Sequence, residues 1–519
     1  MSLLAEIEAL IQPQETQQAF LQRTQAAVRP EDFGRIAALE QLLVRAHEAL
    51  LQNQQSSAKL RRVLFGPKTE KIRQLFPPAA PPPAEPKPKR RGHGCRGAKE
   101  YSGARRVPVC HRDLQAGQLC SGCGRGKLCP QPPAVTPLLE GSAPVPATLF
   151  EAERLRCAGC GKVFTAPLPP EAGTEKYDVS VGPTVALLRY GCGLPHYRLA
   201  RLQESLGVPL PESTQWQVML PNAAAAGPAL QELVHQAAQG SVIYVDDTPM
   251  RVRELRSKGG GAIDPKRTGT FTTAVVAELG ARTAVLFFTG WKHAGENLSE
   301  VLRQRASGLA LPIQMCDALF RNFKGEFPRL LANCLSHGRR EFVDVRESFP
   351  AECRQVLESL GKVYGFDAEA KERGLEVAER LVHHQTHSGP VMDQLHQWLG
   401  ETLERKRTEP NSGLGQVIRY LQNHWKALTL FLRVPGAPLD NNLAERSLKM
   451  AILHRKNSLG YKTVKGAQIG DLFMSLIQTC RSNGINPFEY LKALARNPAA
   501  VAAHPADWLP WNYPQAKAA

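Results

Sequence analysis

Three acidic residues stand where a fold could bring them to one place, although they lie far apart in the sequence. Asp246 ends the apolar run Val242–Val245, and Asp317 ends a second, largely apolar run, Leu309–Cys316. Glu445 lies on the first turn of a predicted helix. Carboxylates of this kind are the hard oxygen ligands that Mg²⁺ takes in proteins. Two such ions, for which Mn²⁺ can substitute, activate a nucleophile and neutralise charge on a phosphodiester, so we predict that these three acids bind two Mg²⁺ ions.

Basic residues follow the second and third acids. One group comes about a helix length after Asp317 and the other directly follows Glu445: His337, Arg339 and Arg340, then Arg446, Arg455 and Lys456. Basic side chains suit phosphate, so we predict that these six residues contact a nucleic acid backbone. Taken singly, each acid also has an ordinary interpretation, because Asp440 could cap a helix and Glu445 could pair with Arg446 on the surface.

Strand and helix patterns alternate in an order that would position these acids. The predicted elements are strands Val242–Val245, Thr270–Val276 and Thr283–Phe288, a helix from Gly295 to Ala306, and a strand Leu309–Cys316. Three consecutive strands, then a helix and a strand, resemble the ribonuclease-H-like plan, in which Asp246 and Asp317 emerge from adjacent strands. The pattern is then helical for over a hundred residues, which predicts a helical insertion before Glu445. That acid would arrive on a helix capped by Asp440 or Asn441.

Two cysteine pairs have the CxxC spacing of zinc knuckles. They are Cys120 with Cys123 and Cys157 with Cys160, and a glycine lies on each side of the second cysteine of each pair. Four thiolates complete the tetrahedral coordination of a structural Zn²⁺ ion and leave no open position for substrate. We therefore predict a zinc ribbon, although four unrelated buried cysteines would give the same pattern. Three neighbouring residues could replace a ligand or form a second site: Cys110, His111 and Cys129.

Three further segments have informative patterns. Apolar residues from Ile36 to Leu64 follow the a and d spacing of a coiled coil, which fits a self-associating helix and a helix packed inside its own domain equally well. Seven prolines between positions 77 and 88 predict an extended linker, and the basic tract Lys87–Arg106 is either solvated or a phosphate-binding arm. Helical patterns from Val181 to Ala226, broken at Gly207–Pro211, suggest a helix-turn-helix of two short helices.

Composition narrows the class of protein. A chain of 519 residues is too long for one compact core, so three or more folding units are expected. The net charge of +17 predicts a polyanionic partner. We expect a cytoplasmic protein without a membrane span, because the chain has no long apolar run and no secretory signal at its N-terminus. Its 12 cysteines therefore favour metal binding over a disulfide framework.

A series of segments resembles the transposases of the insertion-sequence-66 family, which are DDE-type enzymes. Besides the two cysteine pairs they are LRRVLFGPKTEK (60–71), LPHYRLARLQESLGV (194–208), VDDTP (245–249), CDALFRNF (316–323), CLSHGRREF (334–342), LDNNLAERSLKMAILHRKNSLGY (439–461) and SLIQTCRSNGINPFEYL (475–491). The resemblance implies that Asp246, Asp317 and Glu445 are the catalytic acids. The chain departs from the family in having Asp247 where Glu is usual, and Ala318-Leu319 where Gly-Tyr is usual.

The resemblance also implies a domain order and a set of partners. It implies an N-terminal DNA-binding region, in which we assign Arg61, Arg62 and Lys68 to phosphate contacts. The expected partners are the terminal inverted repeats of the element, target DNA, a second copy of the chain and accessory proteins encoded by the same element. A protein bound to this DNA would be associated with the bacterial nucleoid.

We therefore predict a multidomain α+β protein, with a ribonuclease-H-like core that carries a helical insertion and follows a helical or coiled-coil region and a zinc ribbon. The predicted divisions are an N-terminal DNA-binding region 1–75, a linker 76–106, a zinc ribbon 107–170, a helix-turn-helix-like DNA-binding region 171–238, the core 239–345, the insertion 346–434, the last catalytic helix 435–468 and a C-terminal helical domain 469–519. The predicted activity is cleavage at element ends and joining of 3′-hydroxyls to target DNA. The alternatives are a nuclease without strand transfer and a catalytically dead DNA-binding regulator.

Overall fold

The computed structural model describes most of the chain from residue 141 onward and short pieces before it. The described residues are 29, 75–76, 114–119, 123, 125, 127–132, 141–156, 163–173, 175–256, 269–323, 327–404, 408–409 and 411–518. The chain divides into two compact units, one formed by Pro78–Pro146 and the other by Met1–Pro77 with Ala147–Ala519. In the smaller unit, Leu119 and Lys127 form an antiparallel bridge. The coiled-coil prediction lies outside the described residues.

The larger unit contains a two-stranded hairpin and a five-stranded mixed sheet. The hairpin pairs β1 (Arg154–Arg156) with β2 (Val163–Thr165). The sheet contains β3 (Val242–Pro249), β4 (Phe271–Leu279), β5 (Arg282–Gly290), β6 (Ile313–Cys316) and β7 (Leu330–Asn333). Its strand order is β5-β4-β3-β6-β7, in which β3, β4 and β5 are antiparallel neighbours while β6 and β7 continue parallel to β3. The strands are longer than predicted except β6, and β7 escaped the sequence prediction.

Helices surround this sheet. Before it lie α1 (Val181–Ala186), α2 (His196–Ser205) and α3 (Glu212–Ala238). Between its strands lie α4 (Ala294–Leu302) and α5 (Phe320–Phe323), and after it α6 (Leu335–Val345), α7 (Pro350–Glu372), α8 (Val377–His383), α9 (Gly389–Glu404) and α10 (Gly413–Leu428). The chain ends with α11 (Asn442–Ser458), α12 (Val464–Ser482), α13 (Pro487–Arg496), α14 (Pro498–Ala503) and α15 (Tyr513–Ala518). Helices α7 to α10 occupy the span predicted as a helical insertion.

Helix α3, the long helix before the first strand of the sheet, packs against both the sheet and the C-terminal helices. Its 27 residues extend well beyond Ala226, so the second helix is not short as the sequence pattern suggested. Its buried face is made largely of small residues and packs against β4, β5 and the C-terminal helices: Met219, Ala223, Ala226, Ala229, Leu233 and Ala237. The predicted turn is present, because Gly207 has a φ of +74° between α2 and α3. The second helix continues through its two internal prolines, Pro221 and Pro228, because its packing against the sheet stabilises it.

Helix α12 covers the edge of the sheet at β5. Four polar side chains spaced four residues apart accept hydrogen bonds from outward-facing backbone N–H groups spaced two apart: Asp471 from Thr289, Ser475 from Phe287, Thr479 from Val285 and Asn483 from Thr283, at 2.6–3.0 Å. Four helical residues rise about 6 Å and two strand residues about 6.8 Å, so the two repeats stay in step. The helix therefore removes the free backbone donors that an exposed edge strand presents. Among the described residues, no helix is long and apolar enough to cross a membrane.

Candidate active site

Asp246 and Asp317 lie on two neighbouring strands, Asp246 within β3 and Asp317 directly after the last residue of β6. β3 and β6 run parallel, and Tyr244 of β3 pairs with Met315 of β6. Asp246 and Asp317 each follow this pair by two residues. Because side chains alternate across a strand with a period of two, the register directs both acids to the same end and the same face of the sheet. The two strands are adjacent, as the sequence predicted, but β3 continues past Asp246 to Pro249 because its pairing with β4 extends that far, so only Asp317 follows a strand end.

Burial and the neighbouring carboxylates together raise the pKa of Asp246. Burial is the largest cause of its rise, and the charge of Asp317 is the next, with smaller contributions from Asp247 and Glu445. Together they raise the pKa of Asp246 from 3.8 to about 7. A hydrogen bond from the Asp247 backbone N–H to Asp246 Oδ1, at 2.8 Å, opposes this rise. Glu445 therefore lies within electrostatic reach of Asp246 despite their separation in the sequence.

Glu445 is positioned by the chain that enters α11. The N-cap residue is Asn441, one of the two that the sequence allowed, but its side chain makes no capping hydrogen bond. Asp440 Oδ1, one residue earlier, accepts the Asn442 backbone N–H at 3.1 Å. The fully buried Asn441 donates from Nδ2 to the Val245 carbonyl of β3 at 3.0 Å. This bond ties the start of α11 to the residue before Asp246, and Glu445 lies in the first turn that follows.

The loop after Asp317 is held by the carboxylate of that residue. Asp317 Oδ1 accepts hydrogen bonds from the side-chain amide of Asn322 and from the Leu319 backbone N–H, the latter at 3.3 Å. Asn322 is itself fully buried. The chain therefore folds its Ala318-Leu319 variant of the family motif into a compact turn that keeps Asp317 at the strand end.

Asp247 forms a separate ion-pair cluster. Its side chain is 1% exposed, and Oδ2 lies 2.9 Å from His293 Nδ1 while Oδ1 lies 3.3 Å from Arg321 Nη2. The alternation along β3 places Asp247 on the opposite face from Asp246. Arg321 belongs to α5, so this cluster connects the loop after Asp317 to β3. Sequence reasoning missed His293 and Arg321, because neither residue has a local pattern that points to Asp247.

His337 lies against the third acid. Its Nδ1 atom is 3.7 Å from Glu445 Oε1, and Cys334 supplies a third potential ligand atom in a group whose members all lie within 4.8 Å of one another. Cys334 Sγ accepts the Asn441 backbone N–H at 3.2 Å. Burial raises the pKa of the Cys334 thiol to about 12. His337 was predicted to contact phosphate, and the structure places it within reach of a carboxylate as well.

The other predicted phosphate-binding residues divide into three groups. Arg455 donates from Nη1 to Thr248 Oγ1 at 3.0 Å and to the Pro249 carbonyl, so it anchors α11 to β3. Arg340, Arg446 and Lys456 are exposed on α6 and α11, and Arg339 is half-buried. Arg61, Arg62 and Lys68 lie outside the described residues.

The predicted zinc ligands cannot be compared as a set, because Cys120, Cys157 and Cys160 lie outside the described residues. Cys123 is exposed. His384, which directly follows α8, is a core residue with Nε2 3.2 Å from Asp367 Oδ1 and Nδ1 3.0 Å from Ser388 Oγ.

The acidic site has the donor set that Mg²⁺ requires. Asp246, Asp317 and Glu445 supply carboxylate oxygens, and a bound cation would offset both the burial of Asp246 and the repulsion from Asp317 and Glu445, which together raise its pKa. The oxygens of the three acids do not all lie within 4.8 Å of one another in the described structure. Two ions about 4 Å apart would not require all three acids to meet at one point, because each ion would need only some of the ligands. The residues present therefore fit the metal that the sequence predicted.

Comparison with known proteins identifies the family of this chain. Residues 177–469 match the model of the family described as "Transposase IS66 family". "Uncharacterized protein y4hP" of Sinorhizobium fredii is 26% identical over 433 residues, which cover 77% of this chain and 74% of that protein. "Uncharacterized protein y4jD" of the same organism is 32% identical over 200 residues, 38% of each chain. Because the family match spans more than half of the sequence and includes all three acids, this chain belongs to the IS66 family of transposases.

Proposed function

We propose that the chain is a DDE transposase that binds the terminal inverted repeats of its element, cleaves the ends and joins 3′-hydroxyls to target DNA. The observation that supports the proposal is the register of β3 and β6, which directs Asp246 and Asp317 to one face of the sheet, with Glu445 near enough for its charge to add to the rise in the pKa of Asp246 that burial begins. The strand order, with three antiparallel strands continued by two parallel ones, supports a ribonuclease-H-like core.

Each acid has a distinct support that suits it to hold metal at a fixed position. Asp246 is anchored through its strand, Asp317 through the Asn322 amide, and Glu445 through the first turn of α11. Two bound Mg²⁺ ions would activate the attacking water or 3′-hydroxyl and stabilise charge on the phosphate and the leaving oxygen. The acids keep these positions because strand pairing and helix packing, not flexible loops alone, hold them.

DNA would approach the face that carries the exposed basic residues. Arg446 and Lys456 lie on the helix that carries Glu445, and Arg340 lies on the helix that carries His337. Their positive charge would hold backbone phosphates beside the acids and fix the register of the scissile bond. The net charge of +17 would accelerate the approach of DNA and make binding fall with salt.

The remaining parts of the proposal rest on segments that the structure describes only in part. We propose that Cys120, Cys123, Cys157 and Cys160 bind a structural Zn²⁺ ion and that residues 1–75 contribute DNA binding, with phosphate contacts from Arg61, Arg62 and Lys68. We also propose that the active form is a dimer, since two element ends must be brought together, and that accessory proteins of the same element assist it.

The test is cleavage of the element's own end DNA by the purified full-length chain in Mg²⁺. Asp246→Asn, Asp317→Asn and Glu445→Gln should each abolish cleavage, while Asp393→Asn, an exposed acid on α9, should leave it unchanged. Cleavage that survives all three changes would overturn the assignment of the site.

Two further arms separate the alternatives. Joining of precut ends to target DNA requires the 3′-hydroxyl as nucleophile, so cleavage without joining would indicate a nuclease. Binding of end DNA with full affinity, but with neither cleavage nor joining in Mg²⁺ or Mn²⁺ even when the element's accessory proteins are added, would indicate a regulator with an inactive catalytic fold.

A further inference from the structure

A second set of metal-ligand atoms overlaps the proposed magnesium site at Glu445. Cys334 directly precedes α6, His337 lies on the first turn of that helix, and Glu445 lies on the first turn of α11. One ligand atom from each residue lies within 4.8 Å of the other two. Across the described ranges of the chain, no other three His, Cys, Asp or Glu residues meet this condition. The two helix starts therefore bring sulfur, nitrogen and oxygen donors to one point.

One of the three ligand atoms, His337 Nδ1, has no hydrogen-bond partner among the described residues and could therefore bind a metal ion without breaking an existing bond. His337 Nδ1 is buried and makes no hydrogen bond in the described structure, and its 3.7 Å separation from Glu445 Oε1 is too long for one. A buried nitrogen without a partner is costly, so an added ligand atom would stabilise it. His337 and Glu445 are each about 30% exposed as side chains, at 30% and 31%, so an ion can enter from solvent on their side.

A backbone N–H group already lies against the Cys334 sulfur and would hold it in place as a metal ligand. Asn441 donates its backbone N–H to Cys334 Sγ at 3.2 Å, and the same residue is fixed to β3 through its side chain. Burial raises the pKa of the metal-free Cys334 thiol, so the thiolate would form only as a metal ion binds and displaces the proton. The dipole of the 11-residue helix that follows Cys334 would favour the negative charge. A hydrogen bond to a metal-bound ligand orients the ligand and strengthens binding.

The chemistry of these donors selects a softer ion than Mg²⁺. Thiolate and imidazole favour Zn²⁺ and similar ions, whereas Mg²⁺ requires oxygen ligands. Three protein ligands leave a fourth tetrahedral position for water. Binding would form a bond from the metal to Cys334 Sγ and release the thiol proton to solvent. The ligand atoms would have to move closer together, because tetrahedral zinc holds its ligands at about 2.0–2.3 Å.

We propose that Cys334, His337 and Glu445 form a Zn²⁺ site that withdraws Glu445 from Mg²⁺ and so switches off DNA cleavage. Glu445 cannot serve both ions in the same geometry, since one site places it beside Asp246 and the other beside Cys334. The inhibitory part of this inference rests on the proposed function. The metal-binding part does not, because it depends only on the three donors.

Metal binding is tested with Co²⁺ as a spectroscopic probe on the full-length chain. A cobalt–thiolate bond absorbs in the near ultraviolet, so the spectrum counts occupied cysteine sites, including any at the CxxC pairs. Cys334→Ser should remove the cobalt–thiolate absorption of this site and weaken the affinity of the site for Co²⁺ by more than about 100-fold. Loss of a residue that only hydrogen-bonds to a metal ligand already costs about 10–100-fold. Cys353→Ser, a buried cysteine on α7, should match the wild type. His337→Gln should also weaken the site while retaining the thiol.

Inhibition is tested on the same proteins with end DNA. Each variant's cleavage rate in Mg²⁺ with added Zn²⁺ is divided by its own rate without Zn²⁺. This ratio should be about 0.1 or lower for wild type and Cys353→Ser, which means at least tenfold inhibition by Zn²⁺, and near one for Cys334→Ser. Identical Co²⁺ titrations for wild type and Cys334→Ser would overturn the site, whatever the activity. A Cys334-dependent cobalt spectrum with no Zn²⁺ inhibition would overturn the switch. Absence of cleavage in the wild type, even with the element's accessory proteins added, would instead refute the proposed function and remove the basis for the switch, while the cobalt result still decides the site.

Discussion

Replacement of Asp246 by Asn should stabilise the metal-free protein, and the gain should grow with pH. Folding places the Asp246 carboxylate in a partly buried position beside Asp317, Asp247 and Glu445, which raises its pKa to about 7 from 3.8. The Asn side chain has nearly the shape of the protonated acid and carries no charge. The variant therefore keeps the packing of the site and removes the repulsion.

The magnitude and sign follow from proton linkage. Between pH 3.8 and about 7 the folded state binds a proton that the unfolded state has lost, so the wild type loses stability as pH rises through this window. One pKa unit corresponds to about 1.4 kcal/mol, so the full effect is about 4 kcal/mol and is complete just above pH 7. Because the variant lacks this group, its advantage over the wild type should increase by about 3 kcal/mol from pH 5 to pH 8.

The assay is urea unfolding followed by tryptophan fluorescence, in chelator, at pH 5 and pH 8. Asp393→Asn, an exposed acid on α9, is the control and should show no pH-dependent gain over wild type. Mg²⁺ at pH 8 should raise the free energy of unfolding of the wild type and have a smaller effect on Asp246→Asn. An advantage of Asp246→Asn that is the same at both pH values would refute the reasoning that burial and the neighbouring carboxylates raise the pKa of Asp246.

Two further substitutions test the packing around the site. Ser475→Ala removes the acceptor of the Phe287 N–H, and the unpaired donor should lower the free energy of unfolding in urea by about 1–3 kcal/mol. Ser482→Ala, exposed on the same helix, should have little effect. Asn441→Ala removes the hydrogen bond to the Val245 carbonyl, so the first turn of α11 should shift and the rate of end cleavage should fall about 5–10-fold. Unchanged stability in the first case, or an unchanged rate in the second, would contradict the role given to that bond.

Local patterns in the sequence were sufficient to predict the strands and the helix that carry the three acids. The apolar runs before Asp246 and Asp317 are strands, and Glu445 lies in the first turn of a helix, as predicted. These features depend on neighbouring residues along the chain, whose periodicity a single sequence displays. The short strand β7 was missed because Leu330–Asn333 is too brief to show a period.

The features that the sequence did not predict depend on contacts between segments far apart in the chain. The pairing of Asp247 with His293 and Arg321, the ladder of α12 side chains on β5, and the approach of Cys334 to Glu445 each join segments far apart in the chain. The two internal prolines of α3 suggest breaks, yet packing against the sheet keeps its 27 residues in one helix. The sequence by itself determined which residues could do chemistry and on which elements they stand. Only the tertiary structure decided which partners meet, because those contacts arise from sheet register and helix docking, which leave no periodic signal in the residues that make them.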